Sequence, residues 1–299
     1  MSANDANSYN FGGTSLHKTH TEGFAGQTDS GPVYEDDVTF PGLTGNNVQF
    51  FTANETHEAP ANDANAIIGM DYTTESNSGF ASYFETFINE GKVSQPEFAF
   101  YHGTETPELT MGGRDTLRYT GDVFTVPVVK QGYWSINVDS VKVGGVDLGH
   151  LTGGGAIVDT GTGFVQAPSE VAAAALPPSS SSTTTRYIYP CNTPADKILA
   201  FVIAGHTLAL HPDDFTQGPV SKFSEGESPT IPMCKSVVYG NSGVHSSNLG
   251  VPFMRSWYTI FHWGAPTGKQ VGAGTALMFA LAVREGSGEQ EEGSGHGKG

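Results

Sequence analysis

Apolar positions in this chain come in short bursts separated by Gly, Pro, Asp and Asn, a pattern of many strands and turns. The stretch 133–143 alternates from Trp134 to Val138, as a half-buried strand does. Segments 33–40 and 49–53 are strand-like and are split by turn residues at 41–46. Segments 98–101 and 109–111 read as a paired hairpin. Helical spacing is confined to two places. Residues 83–90 carry apolar side chains at 83, 84, 87 and 88, and Gly91 stands where the helix is expected to stop. The alanine-rich segment 169–176 is the other, with Ser169 as its N-cap and Pro177-Pro178 ending it. Low-complexity residues 179–185 read as a mobile loop, and the polar composition from Arg284 onward predicts a disordered tail.

With 299 residues the chain is long enough for one or two domains. Only 15% of residues are charged while glycines number 39 and aromatics reach 11%, which favours an all-β protein over a helical one. Fourteen basic against thirty-one acidic residues give a formal net charge of −17. That balance argues against nucleic acid or an anionic membrane as partner. It fits work in acid, where the excess carboxylates are partly neutralised, and equally a surface kept soluble by charge. No run of about eighteen apolar residues exists, so no membrane span is expected. Residues 1–7 are polar, without the basic and apolar regions of a signal peptide. The expectation is either a cytoplasmic protein or a chain whose true beginning is absent.

The candidate chemistry centres on Asp159-Thr160-Gly161-Thr162. The apolar run Ala156-Ile157-Val158 leads into it and Gly163-Phe164-Val165 leads out, so a buried strand delivers one carboxylate onto a tight turn. Other constellations are weaker. His17-Lys18-Thr19-His20 has metal-like spacing but polar, non-periodic surroundings, and reads as a surface loop. His245 and His262 have no nucleophilic Ser or Cys elbow nearby. Gly153-Gly154-Gly155 is a turn into the Asp159 strand and not a phosphate loop, since no Lys-Ser/Thr follows. Cys191 and Cys234 have no neighbouring cysteine to share a metal. A structural disulfide and two free thiols both remain open on residues alone. The disulfide would stabilise the fold by about 4 kcal/mol and imply an oxidising compartment. Asn54-Glu55-Thr56 matches the glycosylation acceptor pattern.

The segment Ala-Ile-Val-Asp-Thr-Gly-Thr resembles the C-terminal catalytic loop of pepsin-type (family A1) aspartic proteases, of fungal-like kind. The resemblance extends in order from about residue 20 to 272. It takes in Ile67-Ile68-Gly69, Val93-Ser94-Gln95-Pro96, Glu108-Leu109-Thr110-Met111-Gly112-Gly113, the interlobe segment 119–128, Gln131-Gly132-Tyr133-Trp134 and the closing segment 250–261. It implies a bilobal all-β fold, with an incomplete N-terminal lobe at 1–126 (flap at about 22–40), a near-complete C-terminal lobe at 127–282 and a tail at 283–299. It implies a Cys191–Cys234 disulfide. It further implies a monomer, extracellular or vacuolar, that binds an extended peptide or protein without cofactor, metal or nucleic acid. Asp159 would be catalytic, with Phe24, Gly161, Thr162 and Gly163 along the substrate.

Family chemistry uses two aspartates, one protonated as acid and one ionised as base, because neighbouring carboxylates do not both ionise. Only one complete Asp-Thr-Gly loop is present here. Asp29-Ser30-Gly31 has the right letters but follows Gly26-Gln27-Thr28, not an apolar strand, and matches the flap instead. Ile67-Ile68-Gly69 is left without the loop it would pass beside. Phe24 replaces the flap tyrosine and cannot donate its hydrogen bond. Gly163 replaces a serine, Asn248 stands at the first place of the second apolar-apolar-Gly segment, and Val251 replaces the following aspartate. Thr162 retains a hydroxyl suited to bonding the Asp159 carboxylate. The resemblance therefore implies an aspartic endopeptidase of impaired activity, or else a non-catalytic homologue that binds peptide or protein in the remaining groove.

Overall fold

The structure, a computed structural model, describes residues 13–24, 27–40, 42–53, 66–72, 78–103, 106–129, 132–149, 155–175, 186–192, 199–220, 230–241, 247–264 and 276–282. Strand dominates them, as the turn-rich pattern predicts. Segments 1–7, 179–185, the tail from Arg284, Asn54-Glu55-Thr56, Gly153-Gly154, Pro177-Pro178 and His245 lie outside the described residues.

The first half opens with β1 (Thr14–Phe24), β2 (Gln27–Phe40) and β3 (Leu43–Phe51), antiparallel in that order. The break expected over 41–46 is shorter than composition suggests, because β3 resumes at Leu43 and pairs there with Phe40. His17-Lys18-Thr19-His20 is not a loop but part of β1. The register slips between Ser15 and Thr19, and His17 sits at φ 53, which is how an irregular strand hides a strand from a periodicity count.

Helix α1 (Tyr83–Asn89) forms where the spacing predicts it. The Ser82 hydroxyl accepts the Glu85 N–H at its start, and Gly91 takes φ 64 just past Glu90, the left-handed exit that a Cβ disfavours. Tyr83, Phe84 and Phe87 are its buried face. Three strands follow: β4 (Glu97–Tyr101), β5 (Glu108–Met111) and β6 (Tyr119–Pro127). The first two form the expected hairpin, Phe98 opposite Met111 and Tyr101 opposite Glu108.

The second half contains β7 (Ser135–Asn137), β8 (Ser140–Val143), β9 (Val146–Asp147), β10 (Gly155–Val158) and β11 (Val165–Pro168). Helix α2 (Ser169–Ala175) follows, with Ser169 as its first residue and not the cap ahead of it. Then come β12 (Arg186–Pro190), β13 (Leu199–Ile203), β14 (His206–Ala209), a 3-10 turn at Pro212–Asp214, β15 (Thr216–Pro219) and β16 (Met233–Asn241). The chain closes with β17 (Ser247–Leu249), α3 (Val251–Ser256), β18 (Trp257–His262) and β19 (Ala276–Ala282). None of the described helices is long and apolar enough to cross a membrane.

The single strand expected over 133–143 is two strands in different sheets: β7 pairs with β10, and β8 with β13. Asp139 makes the corner. Its N–H donates to the Val202 carbonyl at 2.8 Å and its carboxylate accepts the Gly205 N–H at 2.9 Å. Val138 stays buried through the corner, so alternation carries on while the pairing partner changes.

A seven-stranded sheet in the order β12-β16-β11-β17-β10-β7, with β15 on β16, holds the Asp159 region. Cys191 and Cys234 are joined across the β12–β16 end of that sheet, their Cα atoms 5.0 Å apart. A four-stranded sheet, β14-β13-β8-β9, packs nearby. The halves meet in a five-stranded sheet, β5-β4-β18-β19-β6. Beneath it Phe98 lies parallel to Phe261 with ring centroids 4.8 Å apart, and Trp134 meets Phe261 edge-on at 5.0 Å. This aromatic contact makes one continuous core of both halves.

Candidate active site

The site is built from three strands that are not consecutive. Strand β10 is apolar on both sides, with Ala156 and Val158 buried, and it delivers Asp159 at its end. The chain turns through 159–164 and returns as β11. The two strands do not pair with each other, because β17 lies between them. It runs parallel to β10, with Val158 opposite Leu249, and antiparallel to β11, with Val165 opposite Leu249. The Asp159 turn therefore arches over the end of β17.

Backbone bonds tie the arch down. The Asp159 N–H donates to the Leu249 carbonyl at 3.1 Å, and the Val251 N–H donates to the Thr162 carbonyl at 2.8 Å. Gly250 passes directly beneath. A Cβ there would lie 2.1 Å from the Thr162 oxygen and 2.3 Å from the Phe164 oxygen, so only glycine fits.

Both carboxylate oxygens of Asp159 are held. The Gly161 N–H donates to Oδ1 at 2.8 Å, and the Thr162 hydroxyl donates to Oδ2 at 2.6 Å. Each oxygen keeps further acceptor capacity for a water or a second acid. Asp159 is half-buried, while Thr160, Gly161 and Gly163 beside it are exposed among the described residues. The turn thus fixes the aim of the carboxylate.

The structure brings Asp159, Gly161 and Thr162 together and leaves Gly163 exposed in the same turn. Phe24 lies at the end of β1, where its backbone pairs with Gln27 at the hairpin tip; its side chain is outside the described residues. Asp29-Ser30-Gly31 lies within β2, opposite Glu22, Thr21 and His20, and forms no turn. Ile67-Ile68-Gly69 belongs to no strand, and Ile67 and Ile68 are 64% and 44% exposed, against none for Leu249. It runs into Met70, whose carbonyl accepts the Trp134 indole N–H at 3.2 Å, and then Tyr72, packed on Trp134 and Trp263. The Leu249 carbonyl and the Val251 N–H are supports that no sequence pattern reveals, because they act through backbone and across long separations. Among the described residues no group of three or more His, Cys, Asp or Glu is placed to hold a metal ion.

The profile of the eukaryotic aspartyl protease family matches residues 6–274. An aspartic protease of Phaffia rhodozyma is 30% identical over 250 residues, 80% of this chain and 59% of that protein. Vacuolar protease A of Neurospora crassa is 27% identical over 286 residues, 92% of this chain and 67% of that protein. Cathepsin D of Chionodraco hamatus is 33% identical over 208 residues, 65% and 50% of the two chains. The chain spans half to two thirds of the length of these relatives.

Proposed function

The chain belongs to the eukaryotic aspartyl protease family, and from that premise we propose that it supplies one half of an aspartic endopeptidase site, with Asp159 as one carboxylate of a water-activating pair. The supporting observation is the grip on Asp159: one oxygen bonded to the Gly161 N–H, the other to the Thr162 hydroxyl, in a turn whose Gly161 and Gly163 are exposed. In such a pair the ionised carboxylate takes a proton from water as the oxygen attacks the peptide carbonyl. The protonated partner gives its proton to the carbonyl oxygen. Thr162 holds the orientation of Asp159, and Gly161 and Gly163 leave room for an extended peptide. Phe24, at the β1–β2 tip, would cover that peptide as an apolar lid without a hydrogen bond to give.

We read residues 1–126 and 127–282 as the two lobes, and the molecule as a monomer acting on peptide. The Cys191–Cys234 disulfide and the vacuolar proteases among its relatives support an oxidising compartment, vacuolar or extracellular. A second reading, a homologue that binds peptide without cutting it, draws on the exposure of Ile67 and Ile68 and on the single Asp-Thr-Gly loop.

The chain alone is expected not to cleave protein, because one carboxylate does not fill both acid and base roles. The assay is denatured casein incubated with the purified chain between about pH 3 and 6. No fragments should form. Cleavage that disappears in Asp159→Asn would contradict the proposal that a partner carboxylate is needed.

A further inference from the structure

The connection between β5 and β6 crosses the central sheet from edge to edge. These strands are the outermost two in the order β5-β4-β18-β19-β6, yet only residues 112–118 join them. Four strand spacings come to about 19 Å and seven extended residues reach about 23 Å, so this strap has little slack. It lies on the face away from the Phe98–Phe261 stack. Strand alternation turns Glu97, Ala99 and Tyr101 of β4 to that face, with Tyr258 and Ile260 of β18 and Ala282 of β19. The five that are not charged form a small buried cluster of their own, drawn from both halves of the chain.

Charge holds the strap down. The Arg114 guanidinium donates to both Glu97 oxygens, at 2.9 and 2.7 Å, and to the Met278 sulfur at 3.6 Å. The Asp115 N–H donates to the Tyr258 hydroxyl at 3.0 Å. Arg118 bonds Glu108 at 2.9 Å, lies 3.6 Å from Asp115 and sits over the Tyr101 ring, 5.0 Å from its centroid. Glu97 itself is only 3% exposed, and besides Arg114 it faces His262 of β18 at 3.3 Å. Tyr119 of β6 and Tyr258 of β18 also act on Arg114. Strand β19 brings Met278 to this place and has no titratable side chain.

We propose that the strap is an acid-released cover: protonation of Glu97 frees Arg114, residues 112–118 lift, and the apolar face shared by the two halves is bared. The proton adds to a carboxylate oxygen and takes away an acceptor of the Arg114 grip. A histidine gains its proton before a carboxylate does as the pH falls. Arg114 is then left beside a charged His262 with no anion between them, so attraction gives way to repulsion. Burial raises the Glu97 pKa, but the His262 and Arg114 bonds outweigh it, and the folded value lies below the usual 4.5. A carboxylate depressed in this way stabilises fully above its unfolded pKa, and that stabilisation is lost as the pH falls through the folded one. Release therefore belongs below pH 4.5, and the strap stays closed at neutral pH.

The test is residue-resolved amide hydrogen exchange of the full chain between about pH 6 and 3, read as protection factors so that the intrinsic pH dependence drops out. Protection at Asp115 and Arg118 should fall at least about tenfold as Glu97 protonates, while the amides of β4 and β18 keep theirs. Glu97→Gln keeps the shape but never ionises, so its strap should be loose already at neutral pH. His262→Leu removes one of the two groups that hold Glu97 ionised, so its release should begin at a higher pH than in the wild type. Protection at 112–118 that is flat with pH would overturn the proposal. So would loss that comes only in step with β4 and β18, since the whole sheet would then be unfolding. A Glu97→Gln strap as protected and as pH-dependent as the wild type would assign the trigger to another group. Where Glu97→Gln does not fold, His262→Leu serves instead, and a release unshifted or shifted to lower pH would count equally against Glu97.

Discussion

His102 carries the sharpest residue-scale consequence of burial. Its ring stacks on Phe100 with centroids 5.5 Å apart, and its Nε2 is buried without a hydrogen-bond partner among the described residues. Burial first, and the nearby Arg255 charge second, push its pKa down from 6.5 to about 4. The unfolded imidazole takes up a proton near pH 6.5, before the folded one, so the folded state loses stability as the pH falls from there to about 4. The loss amounts to about 3 kcal/mol in all. His102→Phe should remove it, so that the urea midpoints of variant and wild type diverge in acid and hold a constant separation above pH 7 or so. Parallel midpoints across the whole range would show that His102 is solvated. Asp159 is a different case at the same scale. The Thr162 hydroxyl was legible beforehand as its partner, because a bond three residues away is written into a turn, and the structure places it at 2.6 Å.

At the scale of elements, the contrast between two glycines tests the geometry without any assay of activity. Gly250→Ala forces a methyl into the Thr162 and Phe164 carbonyls, and overpacking against backbone should cost about 3 kcal/mol or more. Gly69→Ala meets no atom within 4 Å and should cost less than about 0.5 kcal/mol. The measurement is the free energy of urea unfolding for the two variants beside the wild type. Equal costs would mean that residues 67–69 are covered after all. Local patterns foretold α1, the β4–β5 hairpin and the strand into Asp159, since each is set by neighbours in sequence. The corner at Asp139 and the strand character of His17 to His20 escaped, because alternation records burial and not pairing partner. The Glu97 cluster escaped for the same reason. Arg114 grips its carboxylate with two nitrogens at 2.9 and 2.7 Å and His262 approaches to 3.3 Å, joining positions 165 residues apart. Burial raises the Glu97 carboxyl, but those His262 and Arg114 hydrogen bonds outweigh it and hold it below the usual range.

For the whole molecule, the family resemblance gave the bilobal all-β architecture, because ordered motifs over most of the chain constrain topology more than periodicity does. The uncovered state of Ile67-Ile68-Gly69 was legible in the same way, from the missing companion loop, whereas the backbone bonds that tie its counterpart were not. One apolar-apolar-Gly segment is threaded between strands and tied by backbone bonds on both sides; its counterpart is exposed. That asymmetry is the central claim, and amide hydrogen exchange on the chain by itself measures it most directly. Amides of 157–159 and 248–251 should exchange slowly, through global unfolding, while those of 67–69 exchange near the rate of an unstructured peptide. Protection at Ile67, Ile68 and Gly69 equal to that at Leu249 would contradict the account.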